Sequence, residues 1–169
     1  IPVCTAEEMD KALTSRFTWS TVLIMAAAVA DFRPAQPASS KLKKRQGALR
    51  ALAFEPTPDI LEQLGRKRTG QTLVGFAAET GAVLPQAKDK LARKGLDLIV
   101  GNNVSAEGSG FGSDTNEAVL VDRNGHVTEL GLLPKRVLAD RILDAILTLG
   151  PAIKRPAAAP KAHSADKKN

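Results

Sequence analysis

The hydrophobic positions of this chain form compact runs that alternate with segments of helical periodicity. Continuous apolar runs predict buried parallel strands, because helices cover both faces of such strands; the runs are residues 22–30, 73–78 and 97–100. Apolar residues at helical spacing, with capping signals before them or a glycine after them, predict helices over residues 5–16, 57–68, 85–94 and 134–149. The alternation predicts an α/β fold with a Rossmann-like, doubly wound and mostly parallel sheet that has helices on both faces.

Turn signals divide the remaining segments. Residues 117–122 and 126–130 flank Asn124-Gly125, a pair that favours a tight turn and predicts a C-terminal antiparallel hairpin. The Gly/Ser-rich segment 107–116 is interpreted as a connecting loop, because it matches neither the Walker pattern nor the dinucleotide fingerprint. Residues 151–169 are rich in Pro, Ala and Lys, which predicts a disordered basic tail after a single domain over residues 1–150.

Charge and cysteine content narrow the class of protein. The net charge is +6, but five cations and only one anion follow residue 153, so the basic character is mostly that of the tail. It is therefore weak evidence for nucleic-acid binding, and we expect no nucleic-acid partner. No apolar run is long enough to span a bilayer, so we expect no membrane partner. The single cysteine, Cys4, excludes an internal disulfide framework and favours the reducing cytoplasm.

Polar residues follow three of the predicted strands. Asp31, Glu79 and the pair Asn102 and Asn103 come where these strands end. Ligands of open α/β sheets bind beyond the carboxyl ends of the strands. The sequence therefore predicts a pocket at this edge of the sheet.

Two neighbouring features suit an anionic ligand with a metal ion. The carboxylate of Asp31 could ligate Mg²⁺, which prefers carboxylate and phosphate oxygens, although it could equally cap a turn. Four cations in five positions could neutralise a polyphosphate, or they could form a solvated loop; they are Lys41, Lys43, Lys44 and Arg45.

Three further features have both a binding and a structural interpretation. Lys90 and Lys94 are four residues apart, hence on one helix face that binds an anion or is simply exposed. Thr57 is predicted to cap the helix that residues 58–61 begin, and the free N–H groups of its first turn either bind a ligand or are capped. Phe76 lies in a strand and either stacks on a base or packs in the core.

Taken together, these segments resemble the phosphopantothenoylcysteine synthetase family, the CoaB domain of the bacterial bifunctional CoaBC (Dfp) proteins. The resemblance covers roughly residues 3–149 in family order. It rests on Ala26-Ala-Ala-Val-Ala-Asp-Phe-Arg-Pro34, Lys41-Leu-Lys-Lys44, Pro58-Asp-Ile-Leu61, Gly75-Phe-Ala-Ala-Glu-Thr80, Lys90-Leu-Ala-Arg-Lys-Gly-Leu-Asp-Leu-Ile-Val100 and Phe111-Gly-Ser-Asp-Thr-Asn116.

The resemblance implies an enzyme that ligates 4′-phosphopantothenate to L-cysteine in coenzyme A biosynthesis. CTP is the co-substrate, the intermediate is an acyl-cytidylate, and Mg²⁺ or Mn²⁺ is the cofactor. Lys41 is implied as the catalytic, triphosphate-facing lysine of a mobile flap, and Asp31 as a metal ligand. The implied CTP-binding residues are Asp31, Lys41, Pro58, Asp59, Ile60, Leu61, Phe76, Lys90 and Lys94. Ala27 and Ala28 are implied to lie close to the substrates.

The resemblance also implies partners and a missing part. A homodimer is expected through the flap around residues 33–57, an irregular segment that is long for a compact domain. The family begins with a Gly-rich strand–helix segment that this sequence lacks, so we expect an N-terminally truncated domain. FMN is expected only on the absent decarboxylase domain.

Two other functions remain open from the sequence. One is a fragment of a Rossmann-like NAD(P)-dependent oxidoreductase, whose dinucleotide fingerprint is absent from this chain. The other is a non-catalytic nucleic-acid module that uses the basic loop and tail.

Overall fold

The computed structural model describes residues 1–38, 40, 53–110 and 112–150. Within these ranges the helices are α1 (Ala6–Phe17), α2 (Ile60–Lys67), α3 (Val83–Lys94) and α4 (Lys135–Leu149). The strands are β1 (Val22–Met25), β2 (Phe32–Pro34), β3 (Phe54–Pro56), β4 (Thr72–Glu79), β5 (Leu98–Asn103), β6 (Thr115–Asp122) and β7 (Val127–Pro134). None of the helices in these ranges is long and apolar enough to cross a membrane.

A five-stranded sheet in the order β1-β4-β5-β6-β7 forms the centre of the domain. β1, β4 and β5 run parallel, whereas β6 pairs antiparallel with both β5 and β7. This confirms the predicted mostly parallel α/β sheet and its C-terminal hairpin. β2 and β3 pair separately as a short antiparallel ribbon.

Two hydrophobic clusters lie on opposite faces of the sheet. Leu73 of β4 belongs to one cluster with buried residues of α1, α2 and α3, whereas the next residue, Val74, belongs to the other with Leu138 and Ile142 of α4. Successive strand residues point to opposite faces, so both faces of β4 are buried. Its burial explains why its sequence is a continuous apolar run rather than an alternation.

Local sequence signals set the start of α1 and the end of α3, as predicted. At the start of α1, the Glu8 N–H donates to Thr5 Oγ1 at 3.1 Å, and the Thr5 N–H donates to the Glu8 carboxylate at 3.2 Å. The two bonds form a capping box. α3 ends at Gly95, whose φ of 64° is left-handed and suits glycine.

The first strand is shorter than the sequence predicts. The apolar run 22–30 predicted one strand, but β1 ends at Met25, which is aligned with Gly75 in the parallel register. After Met25 the chain leaves the sheet, and two hydrogen bonds hold it. The Thr57 hydroxyl donates to the Ala30 carbonyl, and the Thr57 N–H donates to the Asp31 carbonyl at 2.9 Å.

The same contacts correct the start of the second helix. Thr57 was predicted to cap it, but its hydroxyl is already bonded to the segment that follows β1. Asp59 is the N-cap instead, and its side chain accepts a hydrogen bond from the Glu62 N–H at 3.1 Å. α2 therefore begins at Ile60.

A buried ionic cluster lies at the amino end of β5. The Asp97 carboxylate is fully buried between Arg68 and Arg123, at 2.5 Å and 3.1 Å. It also accepts a hydrogen bond from the Leu73 N–H at 2.9 Å. Because all three ionic groups are removed from water, loss of one partner is expected to destabilise the fold strongly.

Candidate functional site

A cleft of about 240 Å³ opens beyond the carboxyl end of β1. The segment that follows Met25 forms one wall, the start of α2 forms another, and α3 contributes basic side chains. Every predicted binding residue that the structure describes lines this cleft: Ala27, Ala28, Asp31, Pro58, Asp59, Ile60, Leu61, Phe76, Lys90 and Lys94. Lys41, and with it most of the predicted flap, lies outside the described residues.

The wall formed by residues 27–31 is a backbone surface with short side chains. The alanines at 27, 28 and 30 project little, so a ligand can approach the main chain closely. The hydrogen bonds from Thr57 tie this wall to the segment that leads into α2. The two walls of the cleft therefore form a connected unit.

The start of α2 carries a carboxylate that is engaged on two sides. Asp59 accepts a hydrogen bond from the Glu62 N–H, and Lys94 Nζ lies 3.0 Å from its carboxylate oxygens. Burial raises the pKa of Asp59, but the hydrogen bonds from Glu62 and Lys94, with the charges of Lys94 and Arg93, outweigh it and lower the pKa overall. Asp59 therefore stays ionised and holds Lys94 at the cleft.

The second lysine of the cleft is held in a similar way. Lys90 Nζ lies 2.5 Å from Glu79 Oε1, and the Glu79 side chain is only 12% exposed. Lys90 and Lys94 lie on one face of α3, so two like charges adjoin. Each is paired with a carboxylate from another element, which reduces their mutual repulsion and leaves further N–H donors free for a ligand.

Close backbone contacts set the distance between α2 and α3. A Cβ atom built on Gly65 of α2 would lie 2.3 Å from the carbonyl oxygen of Lys94, at the end of α3. A Cβ atom on Gly75 of β4 would lie 2.9 Å from a methyl group of Leu61. Gly65 requires glycine because its close neighbours are backbone atoms, whereas the atoms nearest to Gly75 belong to leucine side chains.

Phe76 contacts both the cleft and the hydrophobic core. It lines the cleft, and it also packs against the second hydrophobic cluster. Part of the ring surface is therefore used in the core, while its remaining exposure faces the site. Stacking on a base stays a prediction.

The carboxylate of Asp31 is available for a cation. It is exposed, and it makes no hydrogen bond or ion pair with the part of the chain that the structure describes. Within that part, no group of three or more His, Cys, Asp or Glu side chains could hold a metal ion. A single carboxylate suits Mg²⁺ that arrives with a polyphosphate, since Mg²⁺ keeps several waters and takes phosphate oxygens.

Sequence analysis missed several residues that shape this site. Glu79 was expected at the edge of the sheet but not as the partner of Lys90, because sequence distance gives no sign of the pairing. Thr57 was interpreted as a helix cap rather than as the link between the two walls. Gly65 gave no signal beyond an unfavourable glycine within a helix.

Comparisons with known proteins agree on one family. Residues 1–149 match the family model described as the DNA/pantothenate metabolism flavoprotein C-terminal domain. The chain is 44% identical over 149 residues to the coenzyme A biosynthesis bifunctional protein CoaBC of Bacillus subtilis. The matched region covers 88% of this chain and 36% of that protein. It is 39% identical over 150 residues to a cysteine/cysteine sulfinic acid decarboxylase from an unknown prokaryotic organism, with 88% and 42% coverage.

A solved structure shows the same fold. The C-terminal domain of a coenzyme A biosynthesis bifunctional protein CoaBC superposes with a TM-score of 0.70 at 32% identity. The match covers 88% of this chain and 64% of that one. The chain thus spans about a third of the Bacillus subtilis relative and just under two thirds of the solved domain.

Proposed function

We propose a function for this chain on the premise that it belongs to the DNA/pantothenate metabolism flavoprotein C-terminal domain family: it carries the CTP-binding part of a phosphopantothenate–cysteine ligase. In this reaction of coenzyme A biosynthesis, the carboxylate of 4′-phosphopantothenate attacks the α-phosphate of CTP. Pyrophosphate leaves and an acyl-cytidylate forms. The amine of L-cysteine then displaces CMP to form the amide.

One observation carries the proposal. Residues from the β1 end, the α2 start and α3, far apart in the sequence, line a single cleft at the edge of the sheet where α/β proteins bind ligands. The family resemblance implies the same residues from the sequence alone. Their convergence supports a nucleotide site.

In this proposal, each wall of the cleft contacts a different part of the nucleotide. Lys90 and Lys94 attract the triphosphate; a single ion pair at 4 Å has a Coulomb energy of about 4 kcal/mol at an effective dielectric near 20, before desolvation. The N-terminal turn of α2 offers N–H groups to the nucleotide. Phosphoryl and acyl transfer of this kind needs charge stabilisation rather than a protein nucleophile.

The metal and the flap complete the proposed site. Asp31 would hold Mg²⁺ or Mn²⁺, which when bound neutralises phosphate charge and polarises the phosphoryl oxygens. Lys41 would add a further cation to the triphosphate from the flap. Substitution of Lys41 by Ala is expected to slow nucleotidyl transfer if the flap closes over the cleft.

A homodimer in the cytoplasm is part of the proposal. The ribbon of β2 and β3, on either side of the proposed flap, exposes Phe32 and Phe54 by 64% and 60%. The two rings lie on the same face of the ribbon, because Pro34 pairs with Phe54 and lies two residues from Phe32. This apolar face fits a neighbouring subunit. Light scattering after gel filtration tests the homodimer: a monomer that binds CTP tightly would contradict assembly through the flap.

Calorimetric titration of CTP with Mg²⁺ tests the nucleotide site, with ATP and NADPH as comparison ligands. We expect selective binding of CTP, loss of most of the affinity in Lys90→Ala, and no change in the control Lys88→Ala. Lys88 lies on the same helix but is exposed and outside the cleft. Equal effects of the two substitutions, or preferential binding of NADPH, would contradict the proposal.

A further inference from the structure

We infer that Glu79 is a positioning residue for nucleotide binding, because it holds the amine of Lys90 at the cleft in the orientation that a triphosphate requires. The inference rests on the proposed function but adds a residue to which that proposal assigns no role. Glu79 pairs with Lys90 and is not among the residues that line the cleft. It therefore acts through Lys90 rather than on the ligand.

The backbone of Glu79 is fixed at the end of a central strand. Glu79 is the last residue of β4 and is aligned with Asn103 of β5 in the parallel register. Its carbonyl accepts a hydrogen bond from the Val104 N–H at 3.0 Å. The carboxylate therefore starts from a rigid position.

The carboxylate of Glu79 is fixed as well. It is 12% exposed and contacts two side chains of α3, Gln86 and Lys90. Gln86 and Lys90 are four residues apart, so they approach the carboxylate from one face of the helix. In the orientation that satisfies both groups, the Gln86 amide donates to Glu79. The amide aligns the carboxylate, and the carboxylate aligns the lysine.

This arrangement has a consequence for affinity that charge alone does not predict. A free lysine side chain loses rotamer freedom when a ligand orders it, and this loss weakens binding. With Glu79 in place, Lys90 is ordered before the ligand arrives, and its ammonium group keeps further N–H donors for phosphate oxygens. If Glu79 acted only through its charge, its removal would strengthen the binding of an anion. If it positions Lys90, its removal weakens binding although the cleft becomes more positive.

The test uses the whole chain and the substitution Glu79→Gln, which keeps the shape and removes the charge. Glu129→Gln is the control: it changes the net charge equally, but Glu129 is exposed and lies outside the cleft. In calorimetric titration of CTP with Mg²⁺, we expect the dissociation constant of Glu79→Gln to rise about 5- to 10-fold and that of Glu129→Gln to stay within twofold. Unchanged or tighter binding by Glu79→Gln overturns the inference.

A measurement without ligand separates this inference from the proposed function. Lysine acylation by acetic anhydride, followed by peptide mass spectrometry, compares Lys90 with the exposed Lys88 of the same helix. We expect Lys90 to react several-fold more slowly than Lys88, and the difference to disappear in Glu79→Gln. Equal rates in the unsubstituted chain overturn the pairing.

Together, the two measurements distinguish a failure of the proposed function from a failure of the positioning role of Glu79. If Lys90 is protected but the unsubstituted chain does not bind CTP, the proposed function is wrong, and with it the nucleotide role of Glu79, while the pairing stands. If CTP binds and Glu79→Gln binds it equally well, the function stands and the positioning role is wrong. Thermal unfolding of both variants shows whether they are folded.

Discussion

Substitution of Gly65 by Ala tests the packing that brings Lys94 to the cleft. The added Cβ atom would lie 2.3 Å from the Lys94 carbonyl oxygen, whereas ordinary contact begins near 3.4 Å, so the helices must separate by about 1 Å. Both neighbours are backbone, and no flexible side chain can yield. Overpacking of this kind costs about 1–3 kcal/mol, and a backbone clash falls at the upper end.

Helix propensity favours alanine at this position, so its contribution is subtracted from the overpacking cost. Alanine in place of glycine within a helix gains about 1 kcal/mol. We therefore expect a net loss of about 2 kcal/mol in the free energy of unfolding, measured with urea by circular dichroism. CTP affinity should fall as well, because the end of α3 carries Lys94 towards Asp59.

A matched control comes from another glycine close in sequence. Gly70 has no atom within 4 Å of a built Cβ and does not have a left-handed φ. Gly70→Ala should be neutral or stabilising by up to about 1 kcal/mol. If Gly65→Ala were as stable as the unsubstituted chain, the close contact between α2 and α3 would be refuted.

Two further predictions concern carboxylates. Asp59 has a pKa below its ordinary value of 3.8, so its charge stabilises the fold above that pH, and the effect is lost as the pH falls through the folded value. Asp59→Asn keeps a good N-cap. In urea titrations, this variant should be less stable than the unsubstituted chain at pH 7, and the difference should shrink as the pH falls below 3.8; a difference independent of pH would contradict the role of the charge. Asp97→Asn leaves Arg68 and Arg123 buried without their anion and should cost about 3–5 kcal/mol in the free energy of unfolding. The exposed Asp89→Asn should change it by less than about 0.5 kcal/mol, and equal effects would contradict the buried cluster.

Local signals were enough to predict most elements of the fold. The capping residues of α1 and Gly95 after α3 act within a few residues, so the sequence shows them directly. The burial of β4 on both faces is visible as a continuous apolar run. The mostly parallel sheet and its C-terminal hairpin followed from this alternation of elements, whereas the order of the strands came from the structure.

Contacts between distant segments limited the prediction. The apolar run 22–30 has the composition of one strand throughout, but Thr57, far along the chain, binds the Ala30 carbonyl and β1 ends at Met25. The same long-range contact moved the cap of α2 to Asp59. Neither hydrogen bond leaves a pattern in the local sequence.

The candidate site shows the same division. The resemblance to a family selected Asp31, Lys90 and Lys94, and the structure places them around one cleft. Glu79 and Gly65 came only from the structure, because their importance lies in what they touch on other elements. Residues that bind a ligand are easier to find from sequence than residues that position them.

The measurement that tests the central claim most directly is a ¹⁵N–¹H correlation spectrum of the labelled chain, titrated with CTP and Mg²⁺. The account predicts progressive shifts of amide signals at residues 27–31, 59–61, 76, 90 and 94, with the exposed hairpin turn at Asn124 and Gly125 unaffected. Saturable shifts confined to other surfaces, or a spectrum of a folded chain that CTP leaves unchanged, would contradict the assignment of this cleft as the nucleotide site.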